Sequence, residues 1–238
     1  LFMGNKINQH ISDGPAQKFV QNIEKKISPS IRHHTDSVTF RLEKVLKAFS
    51  KSRLNVQHFA SLTGYGHGDL GREVIDDIFS NIFNTEKSVV RLQFVSGTHA
   101  ITSALFGVLR PGDNFLSVTG KPYETLEEVI GLRGDGQGSL IEFGISYDYI
   151  SFKEGGNVDF LALEKALEIP RKLIFIQRSC GYTWRPSLTI DVIKRICDLC
   201  HKKQPNCICF VDNCYGEFVE DREPTDVGAD LIAGSLIK

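Results

Sequence analysis

Three segments, KLIFIQ (172–177), LTIDVIKRICDLCH (188–201) and CICFV (207–211), decide how this chain is built. The outer two are short apolar runs of strand length. The middle one repeats Val192, Ile193, Ile196 and Leu199 at helical spacing. A strand, an amphipathic helix and a second apolar strand in close succession make a crossover unit with parallel strands. Working outward from it, the same alternation continues. Strands are predicted at Val89–Val95, Asn114–Val118, Tyr147–Phe152 and Leu231–Ala233, and helices at His99–Leu109, Tyr123–Gly131 and Asp159–Leu167. A further helix carries Val74, Ile75, Ile78, Phe79 and Ile82 on one face. The first 50 residues read as helical, with one stripe at Ala16, Phe19, Val20, Ile23 and Ile27 and a second at Val38, Leu42, Val45, Leu46 and Phe49, interrupted at Pro29. The fold class is α/β: three layers, α/β/α, around a mostly parallel sheet. The expected division is an N-terminal helical segment, 1–50, and a large domain, 51–238.

Composition narrows the function classes. The 238 residues are 41% hydrophobic and 24% charged, an ordinary globular balance. A formal net charge of −1 gives no basic field for nucleic acid or anionic lipid. No apolar run approaches the roughly 20 residues of a membrane span. No secretory signal is visible at the start, so the expected location is cytoplasmic, or organellar after loss of a transit peptide. Cys197-x-x-Cys200-His201 fits a haem-attachment pattern, with Cys207 and Cys209 close behind. These cysteines fall on the apolar positions of a helix and a strand, so they are read as reduced core residues and not as haem or zinc ligands.

In open α/β sheets, ligands bind beyond the carboxyl ends of the strands. Those ends carry Ser96-Gly97-Thr98-His99, Thr119-Gly120-Lys121-Pro122-Tyr123, Gln177-Arg178-Ser179, Asp212-Asn213-Cys214-Tyr215 and Gly234-Ser235-Leu236-Ile237-Lys238. Ser96-Gly97-Thr98 opens a helix and can cradle an anion on backbone N–H groups. Asp212 could pair with a pyridinium nitrogen. A lysine in a partly apolar site, such as Lys238, can condense with an aldehyde. Gly66-x-Gly68-x-x-Gly71 fits a dinucleotide fingerprint, but no good strand precedes it and no acidic residue ends the strand that follows, which argues against a nicotinamide enzyme.

The ordered set of anion cradle, strand-end Asp and strand-end Lys with Ser at minus three resembles the fold type I pyridoxal-phosphate enzymes. Gly64-Tyr65-Gly66…Gly71-Arg72, Ser96-Gly97-Thr98-His99-Ala100, Gln177 to Tyr182, Val211 to Phe218 and Gly228 to Lys238 resemble, more closely, the aluminium-resistance, methionine γ-lyase-like group related to the cystathionine lyases. The resemblance covers about residues 40–238. It implies an aspartate aminotransferase-like large domain that stops after the Schiff-base lysine, with the C-terminal domain absent. It also implies that Lys238 holds pyridoxal 5'-phosphate and shuttles the substrate α-proton. Asp212 pairs with the ring nitrogen. Gly97, Thr98 and Ser235 hold the phosphate. Tyr123 stacks on the ring, and Tyr65 and Arg72 reach the phosphate of a neighbouring subunit. Arg178 serves either the substrate carboxylate or the region of the cofactor's phenolic oxygen. The implied reaction is β or γ elimination of a thiol from a sulfur-containing amino acid, cystathionine or methionine-like, by a homo-oligomer (dimer or tetramer) with no metal. Two alternatives stand beside it: a non-catalytic fragment of such an enzyme, or an aminotransferase or aldolase with the same parts.

Overall fold

The computed structural model describes residues 14–61 and 68–237. The chain divides into two compact units, Leu1–Lys44 and Val45–Lys238. Within the described residues the first unit is helical. Helix α1 spans Pro15–Lys51 without interruption, carrying Pro29 inside it. The break expected at Pro29 is therefore corrected. One proline removes a single backbone donor, and the following residues keep their i→i−4 partners, so a long helix can absorb it.

The second unit is built on a five-stranded sheet: β1 (Asn114–Ser117), β2 (Ser146–Tyr149), β3 (Leu173–Gln177), β4 (Ile208–Asp212) and β5 (Leu231–Ala233). Its order is β2-β1-β3-β4-β5 and every pairing is parallel. The remaining helices are α2 (Leu70–Phe83), α3 (Gly97–Val108), α4 (Glu124–Ile130), α5 (Phe160–Ala166) and α6 (Ile190–Lys203).

The alternation of side chains along each strand assigns the layers. Phe115, Leu173, Phe175 and Phe210 pack with Ile101 and Leu105 of α3 and Leu126 and Ile130 of α4. The intervening Leu116, Ile174, Ile176, Cys209 and Val211 pack with Leu163 of α5 and Ile193, Ile196, Cys197 and Cys200 of α6. Both sheet faces are covered, which gives the three-layer α/β/α fold read from the sequence. Helix α2 closes a smaller cluster of Ala48, Val74, Ile78, Ile82 and Phe83. Four of the six cysteines, Cys197, Cys200, Cys207 and Cys209, lie in the core between α6 and the sheet.

Val89–Val95 is not a strand. Asp76 of α2 captures this segment instead. Its carboxylate accepts from the Val90 N–H at 2.8 Å and from both terminal nitrogens of Arg91 at 2.7 and 2.8 Å, while its carbonyl accepts from Ser88 Oγ. The backbone donor that a sheet ladder would have used is spent on a side chain, and Leu92 and Val95 are left exposed.

Candidate active site

The strand order reverses between β1 and β3, the position where an open α/β sheet forms a crevice at its carboxyl edge. The alternation that gives α3 and α4 their contacts continues one step further along each strand. It brings Ser117, Gln177 and Asp212 to that face at the carboxyl edge, and Gln177 and Asp212 are direct register partners. Helices α3 and α4 begin on the same side. Ser96 caps α3 by accepting the His99 N–H at 3.0 Å. This leaves buried Gly97 and half-buried Thr98 in the first turn, where backbone N–H groups have no partner within the helix. Thr98 Oγ1 lies 3.1 Å from the hydroxyl of Tyr123, which sits at the start of α4, and 3.3 Å from Thr125 Oγ1.

Asp212 is 3% exposed. Its Oδ1 accepts from the Cys214 N–H at 3.1 Å, which fixes the carboxylate at the end of β4. Burial pushes the Tyr123 phenol well above its usual range, and the neighbouring Asp212 and Cys214 push it further. Tyr123 is thus a neutral aromatic that shares a hydroxyl hydrogen bond with Thr98 and borders Asp212. The structure brings Gly97, Thr98, Tyr123 and Asp212 to one edge, with Ser235 on the turn that follows β5. Lys238 and Tyr65 lie outside the described residues. Arg72 stands in the first turn of α2, where it pairs with Asp69 at 3.2 Å.

Arg178, read from the sequence as a candidate for the substrate carboxylate or the cofactor's phenolic oxygen region, is bonded within the protein. It is 3% exposed, and its guanidinium faces protein groups, not the crevice. One terminal nitrogen donates to Asn213 Oδ1 at 2.8 Å and to the Gly216 carbonyl at 2.7 Å, the other to Glu220 at 2.9 Å, and Nε to the Leu188 carbonyl at 3.4 Å. Glu223, also buried, lies 3.8 Å away. Four of its five N–H donors are engaged in holding the turn after β4.

Two polar residues at this edge had no role assigned from the sequence. Gln177 is 7% exposed and donates through Nε2 to the Ser179 carbonyl at 3.3 Å, leaving its buried Oε1 without a partner. Glu217 is half-buried, and its Oε1 accepts the Ser235 N–H at 2.6 Å. Alternation predicts that the end of β3 faces the crevice, so Gln177 could have been found. Nothing local in the sequence links Glu217 to Ser235. The donor set suits pyridoxal phosphate: a buried carboxylate for a ring N–H, hydroxyls and helix-start amides for a phosphate, an aromatic ring beside them, and an unmet buried acceptor at Gln177.

Residues 16–238 match the methionine gamma-lyase family. The chain belongs to that family. It is similar to the Bacillus subtilis protein YnbB, with 46% identity over 224 residues, covering 93% of this chain and 53% of YnbB. It is also similar to the solved structure of a carbon-sulfur lyase involved in aluminum resistance from Clostridium novyi (47% identity, TM-score 0.88, 93% of this chain and 53% of that one). A Listeria innocua protein involved in aluminum resistance superimposes with a TM-score of 0.92 at 47% identity, over 94% of this chain and 55% of that one. The L-methionine gamma-lyase of Treponema denticola is 24% identical over 192 residues, which is 80% of this chain and 44% of that protein. The chain thus spans about half the length of the relatives it matches.

The remaining metal-like pattern has a structural account. Cys197 and Cys200 face the core, while His201 turns to Asp230, at 2.9 Å, and Asp230 also accepts the Cys209 N–H at 2.7 Å. This ties the end of α6 to the start of β4. No helix among the described residues is long and apolar enough to cross a membrane.

Proposed function

We propose that this chain carries the pyridoxal-phosphate site of a carbon–sulfur lyase acting on a sulfur-containing amino acid, cystathionine or a methionine-like substrate. The observation that carries the reading is Asp212, a carboxylate buried at the carboxyl edge beside the Thr98–Tyr123 pair and in register with Gln177. The names of the Clostridium novyi and Treponema denticola relatives point to the same chemistry.

When bound, the cofactor supplies an electron sink for the charge left at the substrate's α-carbon. The residues of this chain do the rest. Asp212 would accept the ring N–H and hold the proton there. Gly97, Thr98 and Ser235 would hold the phosphate, and Tyr123 would cover the ring and exclude water from it. Lys238 would hold the cofactor through its aldehyde group and would carry the substrate's α-proton. Loss of a thiol from the β or γ carbon, followed by hydrolysis with one water, would give a keto acid and ammonia. The assembly is a homo-oligomer in which Tyr65 and Arg72 serve a neighbouring subunit.

The test is direct. The purified protein is mixed with pyridoxal phosphate, its visible absorption is recorded, and borohydride reduction is followed by peptide mapping. A yellow protein labelled on Lys238, releasing thiol from cystathionine or methionine, is the expected result. A folded, colourless protein with no label sinks the cofactor assignment for this chain.

A further inference from the structure

The turn after β4 is held more rigidly than a solvent loop needs. Tyr215 and Phe218 both adopt left-handed backbone conformations, with φ of 69° and 58°, a cost that non-glycine residues accept only when neighbours enforce it. The enforcing contacts are the Arg178 guanidinium on the Gly216 carbonyl and Glu223 Oε1 on the Phe218 N–H at 2.9 Å. A side chain at Gly216 would overlap Arg178. Between these clamped points projects Glu217. It crosses to the turn after β5, accepts the Ser235 N–H at 2.6 Å, and lies so close to Gly234 that a methyl group there would overlap its Oε1. Burial raises the Glu217 carboxyl above its usual range, and Asp212 adds to the effect. Such a group is costly to keep at this place for a surface contact alone.

We infer that Glu217 is a positioning residue. It aims Ser235 at the cofactor phosphate, and Gly234 is a glycine because Glu217 occupies the space of its side chain. The inference rests on the cofactor reading above, since Ser235 is the phosphate ligand of that reading. The requirement is for an acceptor at Oε1, so Gln can replace Glu and Ala cannot.

The experiment compares pyridoxal phosphate with pyridoxal, which has the same ring and aldehyde but no phosphate. Binding of each is followed by absorbance for the parent, Glu217→Ala, Glu217→Gln, Gly234→Ala and the double variant Glu217→Ala/Gly234→Ala. Hydrogen exchange of the Ser235 amide is measured on the same proteins. Glu217→Ala is expected to weaken pyridoxal phosphate at least tenfold and pyridoxal less than twofold, and to speed Ser235 exchange. Glu217→Gln stays within threefold of the parent. Gly234→Ala reproduces the Glu217→Ala loss, and the double variant is no worse than either single one. A general packing role would weaken both aldehydes together, and that result overturns the inference, as does an unchanged phosphate preference. If the parent binds neither aldehyde, the cofactor reading fails. Ser235 exchange then decides the positioning claim, and equal rates in parent and Glu217→Ala overturn it. Should Glu217→Ala not fold, Gly234→Ala and Glu217→Gln give the same discrimination.

Discussion

Arg178 and Glu217 show how a residue's neighbours set its role. A strand-end arginine in an enzyme sequence invites assignment to a substrate carboxylate. What fixes Arg178 is a partner set drawn from residues 188, 213, 216 and 220, a convergence visible only after folding. Replacing Arg178 with Met removes the cation 3.8 Å from buried Glu223 and the donor to Glu220. Unfolding in urea should show a loss of about 3–5 kcal/mol, the usual range for breaking a buried pair on one side. Arg178→Lys should recover little, because an ammonium cannot reproduce the fork. Glu217 has the opposite electrostatic problem. Its pKa is raised in the folded state above the ordinary 4.5, so the folded protein binds more protons than the unfolded chain. Its contribution to stability is complete below the unfolded pKa and is lost as pH rises through the folded one. Measured by denaturation from pH 4 to 7, Glu217→Gln should therefore gain stability relative to the parent as pH rises. A constant difference across that range would refute the sign. The placement of Asp212, Thr98 and Tyr123 at the carboxyl edge was legible in the sequence because each lies at a strand end or a helix start.

The elements were read well wherever their pattern was local. β1, β3, β4 and β5 fall within a residue or two of the apolar runs that announce them, and α3 to α6 follow their stripes. The failures come from interactions the pattern does not contain. VVRLQFV (89–95) has strand composition, but a carboxylate 14 residues upstream takes its backbone donor. Asp76→Ala should release this segment, with faster amide exchange at Val90 and a stability cost of about 1–3 kcal/mol, in line with a lost charge-assisted contact. If Val90 exchanges at the parent rate, Asp76 is not what holds it. Pro29 misled in the other direction: a residue that ends most helices sits inside α1.

At the scale of the molecule, α1 presents Phe19, Val20, Ile27, Ile31 and Val38 to solvent, each more than 40% exposed. An apolar stripe of this length on a solvated helix is a surface for association. The oligomer proposed above gives it an occupant, a second copy of the chain. Sedimentation should show a mass above that of the monomer, and Phe19→Glu with Ile27→Glu should shift the population to monomer with unchanged far-ultraviolet dichroism. A monomeric parent at tens of micromolar removes this proposal.

The sheet order also has a consequence during synthesis. β1 and β2 are complete once residue 149 has left the ribosome, yet β1's other neighbour, β3, does not end until Gln177, 60 positions after the end of β1. At about 5–20 residues per second this is an interval of roughly 3–12 s. Throughout it, one side of β1 is an unpaired strand edge carrying Phe115 and Leu116, a template for pairing with other nascent chains. Slowing translation between residues 150 and 177 would lengthen that exposure and raise the demand for chaperones, although the finished protein is unchanged.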